Sequence, residues 1–470
     1  MGRIPVAVLG AGPAGLGAAF RLARRRAFEV TVFERGRTVG GNAGSFEIDG
    51  LRVDYGSHRL HPSCRPEILA DIRALLGEDL LDRPRHGRIR LRGRWVHFPL
   101  EPLNLVQNLP AGFLAGVARD VVLKPFRSGT NDSFASVLER GLGRTICRDF
   151  YFPYATKMWG LPPEEIDPVQ AERRVSAGSF GKLARKVLNA IPGLKAAGSG
   201  RFFYPRRGYG QISEAYLAAT LAAGAVVHLA TTVTAVEWRA GRAVAVRAAS
   251  PQGEFRREAQ QILSTIPLPA LVRAFDPPPP DSVLEAAGAL DYRAMILVYL
   301  VLATDRFTDY DAHYFPELDV PITRLSEPKN YSLAELPGTT VLCAELPCRT
   351  SDPVWSASEE ELGRCVLEAL ARAEIPVRAP LRRVLARRLG QAYPIYRRGW
   401  RAQFDRIDGF LNSIDGLITF GRQGLFAHDN THHALAMAYA AADCIGDDGT
   451  FDRSRWAAHR LEFRSHVVED

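Results

Sequence analysis

A glycine-rich run and a single acid near the start of the chain carry the clearest chemistry. Gly10, Gly12 and Gly15, with Pro13 and Ala14 between the last two, form a G-x-G-x-x-G pattern, and Glu34 follows about twenty residues later. Gly10 permits a tight turn, Gly12 lets backbone approach a pyrophosphate, and Gly15 lets a helix pack on a strand. A helix that opens there presents free N–H groups and the positive end of its dipole to phosphate. Glu34 can accept hydrogen bonds from the hydroxyls of an adenosine ribose. The elements that must position these groups are legible around them. Ile4 to Leu9 is a short apolar run, read as a buried parallel strand. Leu16 to Leu22 reads as helix, and Glu29 to Phe33 as the next strand. That context favours a bound dinucleotide over a bare glycine-rich turn.

Elsewhere the reactive side chains are mostly histidine and arginine. His428 and His432 stand four apart, a spacing that can hold a metal on a helix. No H-E-x-x-H motif accompanies them, so no metal is expected and both rings are read as lining a ligand cavity. His433 is read as lying behind them or exposed. His58 and His61 either cap a loop or touch ligand. Arg324 is either a surface ion pair, worth little to stability, or a functional residue. Lys157 and Trp159 are open in the same way: the indole packs in a core or stacks on a base. Tyr292 and Tyr299 read as core, and Arg24 to Arg26 as a solvated helix end.

The 470 residues are 46% hydrophobic, 24% charged and 9% aromatic, which excludes disorder, collagen-like repeats and coiled coil as the main state. The net charge of +8 suits anionic ligands or an acidic surface, but no nucleic-acid recognition motif accompanies it. No apolar run is long enough to span a membrane, and the glycines interrupt any signal-peptide shape at the N-terminus. Six cysteines are scattered with no C-x-x-C pair, as expected for reduced thiols in the cytoplasm.

Along the rest of the chain, Phe46 to Tyr55 alternates as a strand with a turn at Asp49-Gly50, and Gly56 to Pro62 reads as a loop. Pro66 to Leu76 is an amphipathic helix. Arg88 to Phe98 is a hairpin turning at Gly93. Asn104 to Leu142 is mainly helical, interrupted by Pro110 and Pro125. Lys157 to Ile166 is read as a loop leading into a helix, and Ser176 to Gly200 as a mobile segment. Ala225 to Val246, Gln261 to Thr265, Met295 to Ala303 and Leu417 to Phe420 are strands, and Ala434 to Ile445 a closing helix.

The segment after Glu34 specifies the nucleotide. Arg35-Gly36-Arg37-Thr38-Val39-Gly40-Gly41-Asn42 resembles the E-R-x-x-x-x-G-G motif of FAD proteins in the amine oxidase, protoporphyrinogen oxidase and UDP-galactopyranose mutase superfamily. Further matches follow in order. Tyr55 to His61 resembles the mutase Y-G-x-H-x-x-H loop, and Tyr154 to Gly160 the Y-x-x-K-x-W-G segment. Tyr204 to Gly210 resembles a P-x-x-G turn placed before a FAD-contacting strand. Thr323 to Lys329 resembles T-R-x-x-E-x-K, Tyr393-Pro394-Ile395 the Y-P-I segment, and Gly421 to Gly424 the G-R-x-G motif. Flavoproteins loosely named protoporphyrinogen-oxidase-like share the same order. Two positions depart from the mutase pattern: Gly178 stands where a second clamp arginine would be, and His428 replaces a tyrosine.

The resemblance implies an α/β fold. A discontinuous Rossmann-like FAD-binding domain would be drawn from residues 1–65, 201–275 and 401–470. A mostly helical insertion would occupy 66–200 and a substrate-binding sheet region 276–400. It implies FAD, used in reduced form for one of the two reactions below, held by Gly10, Gly12, Pro13, Ala14, Gly15, Glu34, Arg35, Gly41, Asn42, Ser57, His58, Val233, Gly421, Arg422, Asn430 and Thr431. His58, Arg324 and Arg174 would be catalytic. Arg174, Arg206, Arg324, Tyr393, Tyr396, His428 and Trp159 would hold a small-molecule substrate, a sugar nucleotide or phosphorylated sugar. Two reactions are implied: ring isomerisation of that sugar through N5 of reduced flavin, or hydride transfer from a substrate to oxidised flavin. They call for an external reductant or an electron acceptor, respectively. No nucleic-acid partner is expected, and peripheral membrane contact stays open.

Overall fold

The computed structural model describes residues 2–127, 131–174 and 200–468, with Pro102 and Arg174 described by their backbone alone. Five parallel strands form the first sheet, in the order Leu417–Thr419, Gln261–Ser264, Ile4–Leu9, Phe28–Phe33 and Val226–His228. Segments more than 400 residues apart in sequence therefore belong to one sheet. The expected strands at both ends of the chain fall where the apolar runs placed them.

The strand Ile4–Leu9 sits mid-sheet, with the neighbours that follow and precede it in space drawn from different connections. Its C-terminal end is thus a switch point, where open α/β sheets form a ligand crevice. Two helices start at this edge: Pro13–Ala23 and Thr431–Asp443. They pack closely because small residues face each other. A Cβ on Gly17 would lie 2.9 Å from Leu435 Cδ2 and 3.1 Å from Ala438 Cβ.

The second large sheet has seven strands, in the order Leu381–Pro394, Tyr292–Leu302, Thr340–Cys348, Arg324–Ser326, Ala312–Tyr314, Gly87–Leu91 and Arg94–Phe98. Tyr292–Leu302 is apolar almost throughout because both of its faces are covered. Met295, Leu297, Tyr299 and Val301 join one core, and Ile296, Val298, Leu300 and Leu302 join another. The second core is closed by the helix Glu359–Arg372. Its N-terminus carries a Ser358/Glu361 capping box and three acids in the first turn, which suit the helix dipole. A smaller antiparallel meander runs through Thr232–Arg239, Arg242–Ser250 and Gly253–Glu258.

Three expectations shift. Lys157 to Trp159 close the helix Phe152–Trp159 instead of opening a loop, and the helix ends at Gly160, whose φ of 66° places it in the left-handed region. The turn at Gly208 leads into the helix Gln211–Ala222, not directly into a strand. Thr431–Asp443 is followed by one more helix, Arg453–Phe463, so it is not the last. The segment expected to be mobile, from Ser176, lies outside the described residues up to its last member, Gly200. Among the described residues, no helix is long and apolar enough to cross a membrane.

Candidate active site

A cavity of about 900 Å³ opens at the C-terminal edge of the parallel sheet and runs to the seven-stranded sheet. One wall is made by the N-terminal turn. Gly10 has a φ of +97°, and a Cβ there would sit 2.7 Å from Thr265 Oγ1. A Cβ on Gly15 would lie 1.9 Å from the Gly10 carbonyl oxygen, so no larger residue fits. Gly12 is different. Its backbone is extended, with φ −75° and ψ 179°, which any residue can adopt, and a Cβ would meet nothing within 4 Å. The space a side chain would fill there belongs to the cavity, as close approach of a pyrophosphate requires. Pro13 opens the helix with no side-chain cap, so its first N–H groups are left for a ligand.

Glu34 lines the same wall. Its Oε2 accepts from the Ala11 N–H at 2.8 Å and its Oε1 from the Gly36 N–H at 2.7 Å. The carboxylate thereby ties the glycine turn to the segment that follows it. Gly40 donates its N–H to the Ala11 carbonyl at 2.8 Å, bringing Gly41 under Gly12. Arg35, Asn42 and Val233 complete this side. A long, narrow ligand with a pyrophosphate in its middle fits this wall. At its far end Asn430 caps the helix Thr431–Asp443 by a capping box with His433.

Side chains from distant strands build the opposite wall. Glu345 is its hidden centre. This carboxylate, 3% exposed, accepts from Arg324 Nε at 2.9 Å and the Ser57 N–H at 2.9 Å, and lies 2.7 Å from Arg324 Nη2. One buried acid therefore fixes both the His58 loop and the Arg324 guanidinium. His58 is stacked on Tyr209, with ring centroids 5.3 Å apart. Desolvation, reinforced by the charges of Arg324 and Arg422, pushes the His58 pKa down to about 3. The ring is neutral at physiological pH, and its charged neighbours are two guanidiniums, Arg422 and the Glu345-paired Arg324. Tyr209 is itself placed by Asp54, a buried acid that accepts from Tyr209 N–H at 2.8 Å, Ser45 Oγ at 2.6 Å and Tyr204 Oη at 2.7 Å. Arg422 donates to the Ala392 carbonyl at 2.7 Å and lies over the Tyr393 ring. Tyr393 in turn stacks on His428 at 6.0 Å.

The sequence-predicted residues fall into four groups. Gly10, Gly12, Pro13, Ala14, Glu34, Arg35, Gly41, Asn42, Ser57, His58, Val233, Arg422, Asn430 and Thr431 line the cavity, as do Arg324, Tyr393 and His428. Gly15 and Gly421 stand behind the wall, where Gly421 packs against Ala14. Trp159, Tyr396 and Arg206 do not line it, and neither does His432, which was expected to. The Trp159 indole packs on Phe134, Tyr396 stacks on Trp400 at 4.1 Å, and half-exposed Arg206 lies near Asp79. The Arg174 side chain lies outside the described residues, as does Gly178.

Two residues of the matched motifs serve the fold instead. Lys157 donates to the carbonyls of Phe315, Glu317, Val320 and Ile322, at 2.5 to 3.1 Å. Burial pulls its pKa down to about 7, yet four carbonyl acceptors suit the ammonium form, which we take as the native one. Glu327 is buried and accepts from the N–H groups of Phe307 and Thr308 and from Thr340 Oγ1. Near the cavity, Asp429, His433 and His466 bring ligand-capable atoms within 4.8 Å of one another. The His466 Nδ1 is 3.3 Å from the buried Asp429 carboxylate, joining the C-terminal tail to the start of the Thr431 helix.

Glycine spacing, an uncapped helix start and an acid after the second strand describe a dinucleotide site, and a family model described as flavin containing amine oxidoreductase matches residues 13–403. The chain belongs to this family. It is an FAD-dependent enzyme, and FAD is its cofactor. A solved structure of reduced UDP-galactopyranose mutase is similar over 98% of both chains, with a TM-score of 0.80 at 20% identity. Putrescine oxidase bound to putrescine is similar over 94% of this chain and 98% of its own, with a TM-score of 0.65 at 19% identity. At such identities the likeness is one of fold. A phytoene dehydrogenase of Streptomyces griseus is 45% identical over 80 residues, which span 17% of this chain and 15% of that relative.

Proposed function

We propose that this flavoenzyme acts on a sugar nucleotide or phosphorylated sugar, in a ring isomerisation of the UDP-galactopyranose mutase type with FAD in its reduced state. The observation that carries this reading is the convergence of Arg324 and Arg422 on a neutral His58 within the cavity. Two guanidiniums, Arg422 and an Arg324 oriented by Glu345, offer fork-shaped donors to phosphate and suit an ammonium substrate poorly. The overall likeness to the reduced mutase supports the same choice.

The chain's own groups have separable tasks. The glycine turn, Glu34 and the two helix starts hold FAD, which when bound supplies redox chemistry and, reduced, a nucleophilic ring nitrogen. Arg324 is the principal phosphate contact, because a planar guanidinium binds phosphate oxygens bidentately. Glu345 orients it. Tyr393 offers a hydroxyl to the same anion. His58 presents an uncharged ring and its loop backbone beside the reacting centre, without adding a third positive charge. Arg59, also on the wall, is anchored 3.2 Å from Asp311.

A second reading, hydride transfer from an oxidisable substrate to the cofactor, draws on the parallel rings of Tyr393 and His428 with Met158, which give part of the wall an aromatic, apolar character. Titration of the holoprotein with UDP separates the two. The first reading predicts a saturable change in flavin fluorescence, weakened about 10- to 100-fold by Arg324→Ala, as expected for lost charge-assisted hydrogen bonds. No response to UDP, or an unchanged affinity in the variant, removes the phosphate clamp and leaves the second reading.

A further inference from the structure

We propose that the exposed apolar side chains of Leu103, Val106, Val122, Leu123 and Phe126 together form a face that docks on an anionic lipid bilayer. These side chains lie on the helices Pro102–Asn108 and Ala111–Val122 and on the short turn Lys124–Phe126. Phe126 is 82% exposed, Val122 70% and Leu103 69%. Both helices already bury an apolar face: Leu105, Leu109, Phe113 and Val117 pack on the hairpin Gly87–Phe98 through Ile89 and Val96. A helix that is apolar on its outer side as well needs a second apolar environment.

Charge selects the occupant. Asp120 is the only acid from residue 102 to 127, and it is buried, accepting from the Thr145 N–H at 2.7 Å beside Arg127 at 3.3 Å. From residue 102 to 127 the exposed charges are therefore Arg119 and Lys124, with Glu101 just before them, on a chain of net charge +8. Apolar side chains flanked by Arg119 and Lys124, with Glu101 at the start of the first helix as the exposed carboxylate beside them, match the interface of a bilayer carrying acidic headgroups. A second copy seated here by two-fold symmetry would bring the same cations together. The face lies behind the substrate wall: Tyr314, in the same apolar cluster, accepts from Arg59 Nη1 at 3.2 Å.

Cosedimentation of the full-length holoprotein with vesicles tests this. Phosphatidylcholine vesicles containing phosphatidylglycerol are expected to bind at least about fivefold more protein than phosphatidylcholine alone. Phe126→Asp, with the visible flavin spectrum retained as a check on folding, is expected to lower binding at least about tenfold. Lys124→Glu should reduce the preference for the acidic lipid. The proposal is overturned by a wild-type chain that stays in the supernatant, by equal binding to both vesicles, or by a Phe126→Asp variant that binds like the wild type. A dimer in the absence of lipid that Phe126→Asp converts to monomer would assign the face to a second copy and equally overturn it.

Discussion

The two walls of the cavity are made of different material. The nucleotide wall is backbone: a turn, two helix starts and glycines whose missing Cβ atoms either avoid a clash or leave room. The substrate wall is side chain: Arg324 on Glu345, Tyr209 on Asp54, Tyr393 on His428. Its parts come from residues 54 to 428 and meet only in the folded chain. A backbone wall tolerates change wherever its groups are not crowded. A wall of buried charges depends on every partner, because an acid left alone in a dry interior is costly.

The largest effect should come from the substrate wall. Glu345→Ala leaves Arg324 buried without its carboxylate and removes the acceptor of the Ser57 N–H. A loss of about 3–5 kcal/mol is expected, read as a lower urea midpoint. Within the nucleotide wall the account separates two glycines. Gly15→Ala forces a Cβ against the Gly10 carbonyl and should cost about 3 kcal/mol, with a destabilised product that loses its colour. Gly12→Ala should fold normally, since a Cβ there meets nothing, but should weaken FAD binding at least about tenfold through crowding of the pyrophosphate. Equal behaviour of the two variants in both assays would erase the distinction between packing and ligand approach.

A smaller effect concerns pH. His58 stays neutral in the folded chain down to about 3, against an ordinary value of 6.5. Between these limits the unfolded chain takes up a proton that the folded chain does not, so this group makes stability fall as pH drops from 6.5 towards 3. His58→Asn should flatten that part of the urea-midpoint profile. An unchanged slope would show that burial, with the charges of Arg324 and Arg422, does not hold the ring neutral.

This difference between the walls also explains what could be read from the sequence. The glycine turn, its strands and Glu34 are local, so their spacing carries their geometry. Arg324, Tyr393 and His428 were reachable through ordered motifs, but their partners were not. Glu345 did leave a trace, as the one charged residue within the strand Thr340–Cys348, every member of which is buried. Asp54 and Lys157 left weaker ones. Neither the acceptors of Lys157 nor the packing of Trp159 and Tyr396 follows from spacing, because each partner lies on another element. The same holds for Arg206, whose motif match carries no information on which side of the strand Arg201–Pro205 its guanidinium takes.

The most direct test of the central claim is a product analysis of the dithionite-reduced holoprotein with UDP-sugars, with peroxide measured in parallel. The account predicts conversion of a UDP-sugar to its ring isomer only when the flavin is reduced, with the sugar's oxidation level unchanged. Inert UDP-sugars together with peroxide release from an oxidised substrate would contradict it.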